Sequence, residues 1–171
     1  MTLTLVILVV AVVVVGTFII KRGVPRPVET LEEKSDWTMF TWIDESGHKI
    51  LLQSRDERPS DLRNGFAIAV VMEWRYGMEG LPDQPTMNSI YQFEDALEAI
   101  RNDKTAVHVH TLTGNGIREW CYYTANFTEF ESRFNELVSP LPKMPIEISY
   151  QADQDWLYWQ KLKSTVQGHG A

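Results

Sequence analysis

Hydrophobic positions along the chain follow three different rules. From Met1 to Ile20 they are nearly continuous, interrupted only by Thr2, Thr4, Gly16 and Thr17, and no charged side chain occurs before Lys21 and Arg22. At about 1.5 Å per residue a helix of that length spans roughly 30 Å, the hydrocarbon thickness of a bilayer, and a helix satisfies its own backbone in lipid. The run predicts a transmembrane anchor over residues 1–22. A cleaved signal peptide would place basic residues before the apolar run and small residues at a cleavage site, and the sequence has neither. Eighteen or more uninterrupted apolar residues also exceed what a small core uses. Lys21, Arg22 and Arg26 lie on the C-terminal flank, which predicts a single-pass protein of the inner or plasma membrane with its domain in the cytoplasm.

Residues 23–35, with Pro25, Pro27, Glu29, Glu32 and Glu33, have no periodic apolar positions and read as a linker. Beyond them a domain over 36–163 alternates between strand-like and helix-like patterns, and 164–171 reads as a disordered tail. Trp37–Ile43 and Lys49–Gln53 form a β-hairpin signal around Ser46-Gly47. Phe66–Trp74 is apolar on both faces through Val71 and predicts a central strand. After a Gly- and Pro-rich loop from Gly77 to Pro85, Ile90, Phe93, Leu97 and Ile100 make one helical stripe. Thr105–Thr113 and Ile117–Ala125 are strands joined through Asn115-Gly116. Asn126 with Glu129 predicts a capping box for a second helix, striped by Phe127, Phe130, Phe134 and Leu137 and stopped by Pro140. Ile146–Tyr150 is the last strand. From Phe66 onward the order is β-α-β-β-α-β, predicting an α+β, ferredoxin-like sandwich with both helices on one face. The N-terminal hairpin either extends that sheet or covers its open face.

Charge narrows the partner classes. Removing Lys21, Arg22 and Arg26 from the 16 Lys and Arg of the chain leaves 13 against 23 Asp and Glu, a formal charge of −10 from residue 27 onward. Such a domain repels phosphate backbones, so nucleic acid is not expected as a partner. The acidity serves solubility or docking on a basic protein. A single cysteine, Cys121, makes no internal disulfide, in keeping with a cytoplasmic domain.

Several strings together resemble one bacterial family, the domain of unknown function numbered 695. They are Asp36-Trp37, Gly80-Leu81-Pro82, Phe93-Glu94-Asp95-Ala96-Leu97, Gly114-Asn115-Gly116-Ile117-Arg118 leading to Trp120, Tyr122-Tyr123, and Asp153-Gln154-Asp155-Trp156-Leu157-Tyr158-Trp159. The resemblance covers about residues 36–162. Trp159 stands where the family pattern has a Tyr, and the membrane anchor is an addition to it. The resemblance implies an α+β domain with no assigned activity. Fusion of some members to a domain similar to an acidic ribonuclease E inhibitor implies regulatory protein binding, an argument by analogy.

Candidate chemistry is sparse. With a two-residue turn at Asn115-Gly116, His110 is expected opposite Cys121 and His108 opposite Tyr123, with Glu119 diagonal to His110 on the same face. Thiol, imidazole and carboxylate in reach of one another are the minimum for an activated cysteine, and His108 and His110 are potential metal ligands. A His-x-His on a strand is also a common accident, and free cysteine is usually a small buried hydrophobe. Glu94 and Asp95 are expected to open the first helix, with Glu94 at the helix–sheet edge accepting a bond from Trp, Tyr or Arg. Trp156, Tyr158 and Trp159 either fold back onto the N-terminal hairpin, the expected arrangement, or present an aromatic partner surface. No Walker, Rossmann, zincin or nucleophile-elbow pattern occurs, and no cofactor is expected. The residues point to a non-catalytic module that binds an unidentified protein partner, with an enzyme or ligand site on the His108/His110/Cys121/Glu119 face as the alternative.

Overall fold

The structure, a computed structural model, describes residues 36–58, 65–102 and 104–167. The predicted anchor (1–22), the linker (23–35) and residues 168–171 of the tail lie outside the described residues. Among the described residues no helix is long and apolar enough to cross a membrane.

Among the described residues six strands and three helices follow one another as β1 (Trp37–Ile43), β2 (Lys49–Arg55), β3 (Ile68–Arg75), α1 (Gln84–Asn102), β4 (Ala106–Gly114), β5 (Ile117–Thr124), α2 (Phe127–Val138), β6 (Ile146–Ala152) and α3 (Leu157–Gln167). The strands form a single antiparallel sheet in the order β1-β2-β4-β5-β3-β6. The architecture is α+β. The N-terminal hairpin extends the sheet, since β2 pairs with β4. β3, apolar on both faces, lies between β5 and β6.

Local chemistry sets both hairpins. Asp44 Oδ1 accepts bonds from the Ser46 and His48 N–H groups at 2.9 and 2.8 Å, and Gly47 supplies a φ of 85°. At the β4–β5 turn Asn115 and Gly116 have φ of 51° and 74°, the left-handed pair that a two-residue hairpin of the right twist requires.

Helices α1 and α2 cover one face. Ile90, Phe93, Leu97 and Ile100 of α1 and Phe130 and Phe134 of α2 are buried against Val70, Met72, Trp74, Trp120 and Tyr122. Each such side chain stabilises the fold by about 2 kcal/mol relative to exposure. α1 begins ten residues before Glu94, not at it. Asp83 accepts from the Thr86 N–H at 2.9 Å through its side chain and from the Met87 N–H at 2.8 Å through its carbonyl. Pro85 therefore lies in the first turn, where a missing N–H costs nothing. Glu94 sits mid-helix, away from the helix dipole's positive end. At α2 only half of the expected capping box forms: Asn126 Oδ1 accepts from Thr128 and Glu129 N–H, while the Asn126 N–H donates to Thr124 Oγ1.

The opposite face carries α3, which was not expected from the sequence pattern and which continues to Gln167, through the first half of the expected tail. Its first turn packs with Ala69, Val107, Val109, Cys121 and Tyr123, and Leu162 and Val166 reach Trp42, Ile50 and Leu52.

Candidate functional site

His108, His110, Glu119 and Cys121 lie on β4 and β5. Thr113 pairs with Arg118, Thr111 with Trp120 and His110 with Cys121, the register a two-residue turn imposes. The ladder then slips: His108 pairs with Tyr122, not Tyr123, because an extra residue is accommodated between His108 and His110. A bulge of this kind reverses the facing of everything beyond it. His110 lies on the α3 face with Cys121, whereas His108 lies on the face of α1 and α2, stacked on Tyr122 at 4.7 Å and against Trp37 at 5.0 Å. The expected His108–His110 pair on one face is thus not formed, and the two rings cannot chelate one ion. Among the described residues no group of three or more His, Cys, Asp or Glu side chains converges as a metal site.

His108 Nε2 is 2.9 Å from the His110 carbonyl, an acceptor only, so this nitrogen carries the proton; Thr111 Oγ1 is equally close. Burial pushes the His108 pKa well down, with Arg101, His110 and Arg55 acting in the same direction. This imidazole is a neutral core group.

On the other face His110 is fully buried. Its Nε2 donates to Glu119 Oε1 at 2.7 Å, and its Nδ1 is buried without a hydrogen-bond partner. The same Glu119 oxygen accepts the Tyr158 hydroxyl at 3.2 Å, and the Tyr158 ring lies over His110 with centroids 6.0 Å apart. Cys121 on the same face is fully buried. Burial pushes its thiol well above the usual range, and the Glu119 and Asp153 charges add to the rise. A nucleophilic cysteine needs the opposite shift. Thiol, imidazole and carboxylate are brought together as expected, in an environment that holds the thiol protonated.

Glu119 also begins a row of carboxylates. Glu73 of β3 lies directly across from Glu119 of β5 and from Glu147 of β6. Burial raises the Glu73 pKa; the ion pair with Arg75 opposes this, and Glu119 and Glu147 reinforce it.

Trp156, Tyr158 and Trp159 are not a surface. Trp156 and Trp159 are buried and Tyr158 is partly so. Trp156 adopts a left-handed φ of 59°, stacks on Tyr123 at 4.1 Å and donates its indole N–H to the Phe66 carbonyl at 2.7 Å. Trp159 donates its indole N–H to Ser54 Oγ at 2.9 Å. Asp153, which sequence reasoning passed over, anchors the segment. Its carboxylate accepts the Tyr123 hydroxyl at 2.6 Å and the Leu157 and Tyr158 N–H groups at 2.7 and 2.8 Å. The available signal was an aspartate four residues before an apolar helix start, a variant of N-terminal capping.

Glu94 ties the opposite face together. Its Oε1 accepts the Trp120 indole N–H at 2.6 Å and the Arg118 Nε–H at 3.2 Å, and Arg118 also bonds Thr113. The strings Phe93–Leu97, Gly114–Arg118, Tyr122-Tyr123 and Asp153–Trp159 thus converge on two latches, one holding α1 to β5 and one holding α3 to the sheet. Comparison with curated proteins and with solved structures gives no match. The model of the family of unknown function DUF695 matches residues 35–162, from the start of β1 to the middle of α3, and the chain belongs to that family.

Proposed function

We propose that this chain is a single-pass membrane protein whose α+β domain serves as a non-catalytic protein-interaction or regulatory module on the cytoplasmic side. The observation that carries the reading is how the reactive side chains are used. Cys121 is sealed beneath α3 with its thiol held protonated, and Glu119 engages His110 and Tyr158 in structural bonds. The domain offers its surroundings an acidic surface, with a formal charge of −10 from residue 27 onward. The uncharged run Met1–Ile20 and the basic flank Lys21, Arg22 and Arg26 support membrane placement and orientation. The strand order from β3 onward, β4-β5-β3-β6 with α1 and α2 on one face, supports a ferredoxin-like classification of the core.

Crosslinking in cells followed by affinity purification, with the full chain beside one lacking residues 1–35, tests the function. A stoichiometric partner recovered with both supports an interaction module. No partner in either sample overturns it. A reporter active only in the cytoplasm, fused after Ala171, tests the orientation. One observation favours a second reading, a ligand site on the His110/Glu119/Cys121 face: the buried His110 Nδ1 lacks a hydrogen-bond partner. Loss of function in a folded Cys121→Ser variant would favour that reading over the first.

A further inference from the structure

The sheet ends differently on its two sides. Among the described residues β6 is the last strand beyond β3, and along Ile146–Ala152 its side chains are exposed or only partly buried. Its pairing with β3 runs in unbroken register from Trp74↔Ile146 to Ile68↔Ala152. The outer edge therefore presents a straight row of backbone donors and acceptors, and neither proline nor lysine within the strand blunts it.

The two faces of this edge strand are chemically distinct. Ile146, Ile148 and Tyr150 lie on the side of α1 and α2, with Ile146 and Ile148 packed on the core and Tyr150 stacked on Phe127 at 3.7 Å. Tyr150 remains 43% exposed, so an apolar neighbour on that side would gain contact. On the α3 side lie Glu147, Ser149 and Gln151, and Glu147 continues inward to Glu73 and Glu119. Of these carboxylates Glu73 is paired with Arg75, and Glu119 is bonded to His110 and Tyr158. From Met144 to Asp155 the chain has three acidic residues and no basic one.

We propose that the outer edge of β6 binds an extended basic segment of a partner protein, which adds as a seventh strand, laying Lys or Arg side chains toward Glu147 and Glu73 and apolar side chains beside Tyr150. The proposal rests on the interaction-module reading and names its partner class. Backbone pairing supplies affinity in this mode and alternate side chains supply specificity. Charge selects the occupant: a second copy of the chain would bring the same carboxylates to the contact, whereas an alternating basic and apolar strand complements both faces.

The test uses the full chain in neutral detergent micelles, titrated with a capped heptapeptide of alternating lysine and valine. Amide hydrogen exchange over residues 146–152 is the readout. Saturable slowing of exchange by at least about tenfold in β6 is expected. Methylating the peptide nitrogens along its pairing edge should abolish the effect, while methylating those along its other edge should leave it. Glu147→Lys, an exposed change whose folding circular dichroism would check, should weaken binding about tenfold. Equal binding of the peptide methylated on its pairing edge, protection at β1 instead of β6, or self-association that the peptide does not displace would each overturn the proposal. A cellular partner retained by Glu147→Lys would overturn this edge assignment and leave the module reading standing. A wild-type chain that captures no partner would remove the module reading itself.

Discussion

Asp153 is the residue on which the covering of the second face depends most directly. The residue is 7% exposed, and its side chain accepts three hydrogen bonds, one from the Tyr123 hydroxyl and two from the first turn of α3. Asp153→Ala removes all three and leaves the Tyr123 hydroxyl without that acceptor. Loss of a helix-capping acceptor costs about 1 kcal/mol. Loss of a hydrogen bond to a charged, buried acceptor costs about 1.5–3 kcal/mol. The expected destabilisation is therefore about 3 kcal/mol, which lowers the melting temperature of a domain this size by roughly 10 °C. Tyr123→Phe, which removes only that one bond and leaves the two backbone bonds in place, should cost less, about 1.5–2 kcal/mol. The double variant should be less destabilised than the sum of the two, by about 1–2 kcal/mol, because both substitutions remove the same bond. Denaturant unfolding measures these differences, and amide exchange locates them: in Asp153→Ala, α3 should exchange faster than β3 and β5. A loss below 1 kcal/mol with unchanged exchange in α3 would refute the latch and leave apolar packing of Trp156 and Trp159 as what holds the helix.

Three further outcomes follow from the geometry. Gly114→Ala should destabilise by about 2–3 kcal/mol in denaturant unfolding, because φ is +151° and the new Cβ would collide with the Ile50 side chain and approach the Lys49 carbonyl to 3.1 Å. His108, its pKa lowered in the fold, contributes stability that is present above the unfolded value of about 6.5 and is lost as pH falls toward the folded value. Its share of the pH dependence approaches about 1.4 kcal/mol per unit, and His108→Gln should flatten the stability profile below pH about 6.5. Cys121 has the reverse sign, its stability contribution being lost as pH rises past about 8.5; in the native state its alkylation should be at least about 100-fold slower than that of the unfolded chain, read by mass spectrometry.

What the sequence determined by itself is what short-range chemistry controls. Asp44 accepts N–H groups of its own turn, and Gly47, Asn115 and Gly116 adopt the left-handed φ that the two hairpin turns require. The stripes of α1 and α2 declare their buried faces because 3.6-residue periodicity leaves no other way to bury four apolar side chains together. β3 declares itself central because both of its faces are apolar. The strings from Asp36 to Trp159 resemble the family whose model matches residues 35–162.

Tertiary structure decided the rest, and in each case the deciding contact lies far away in the chain. The slip between His108 and His110 is invisible in a His-x-His pattern, because alternation holds only while the pairing stays in register. It sends one histidine into each face and dissolves the expected pair. α3 is held where Asp153 meets Tyr123, Trp159 meets Ser54 and Val166 reaches the Trp42 cluster. Burial then sets the chemistry: the same Cys121 that sequence alone leaves open as a nucleophile becomes a protonated core thiol once that helix seals the sheet. Identity of a side chain is a property of the sequence, whereas its protonation, its facing and its exposure are set by neighbours that only the folded chain brings within reach.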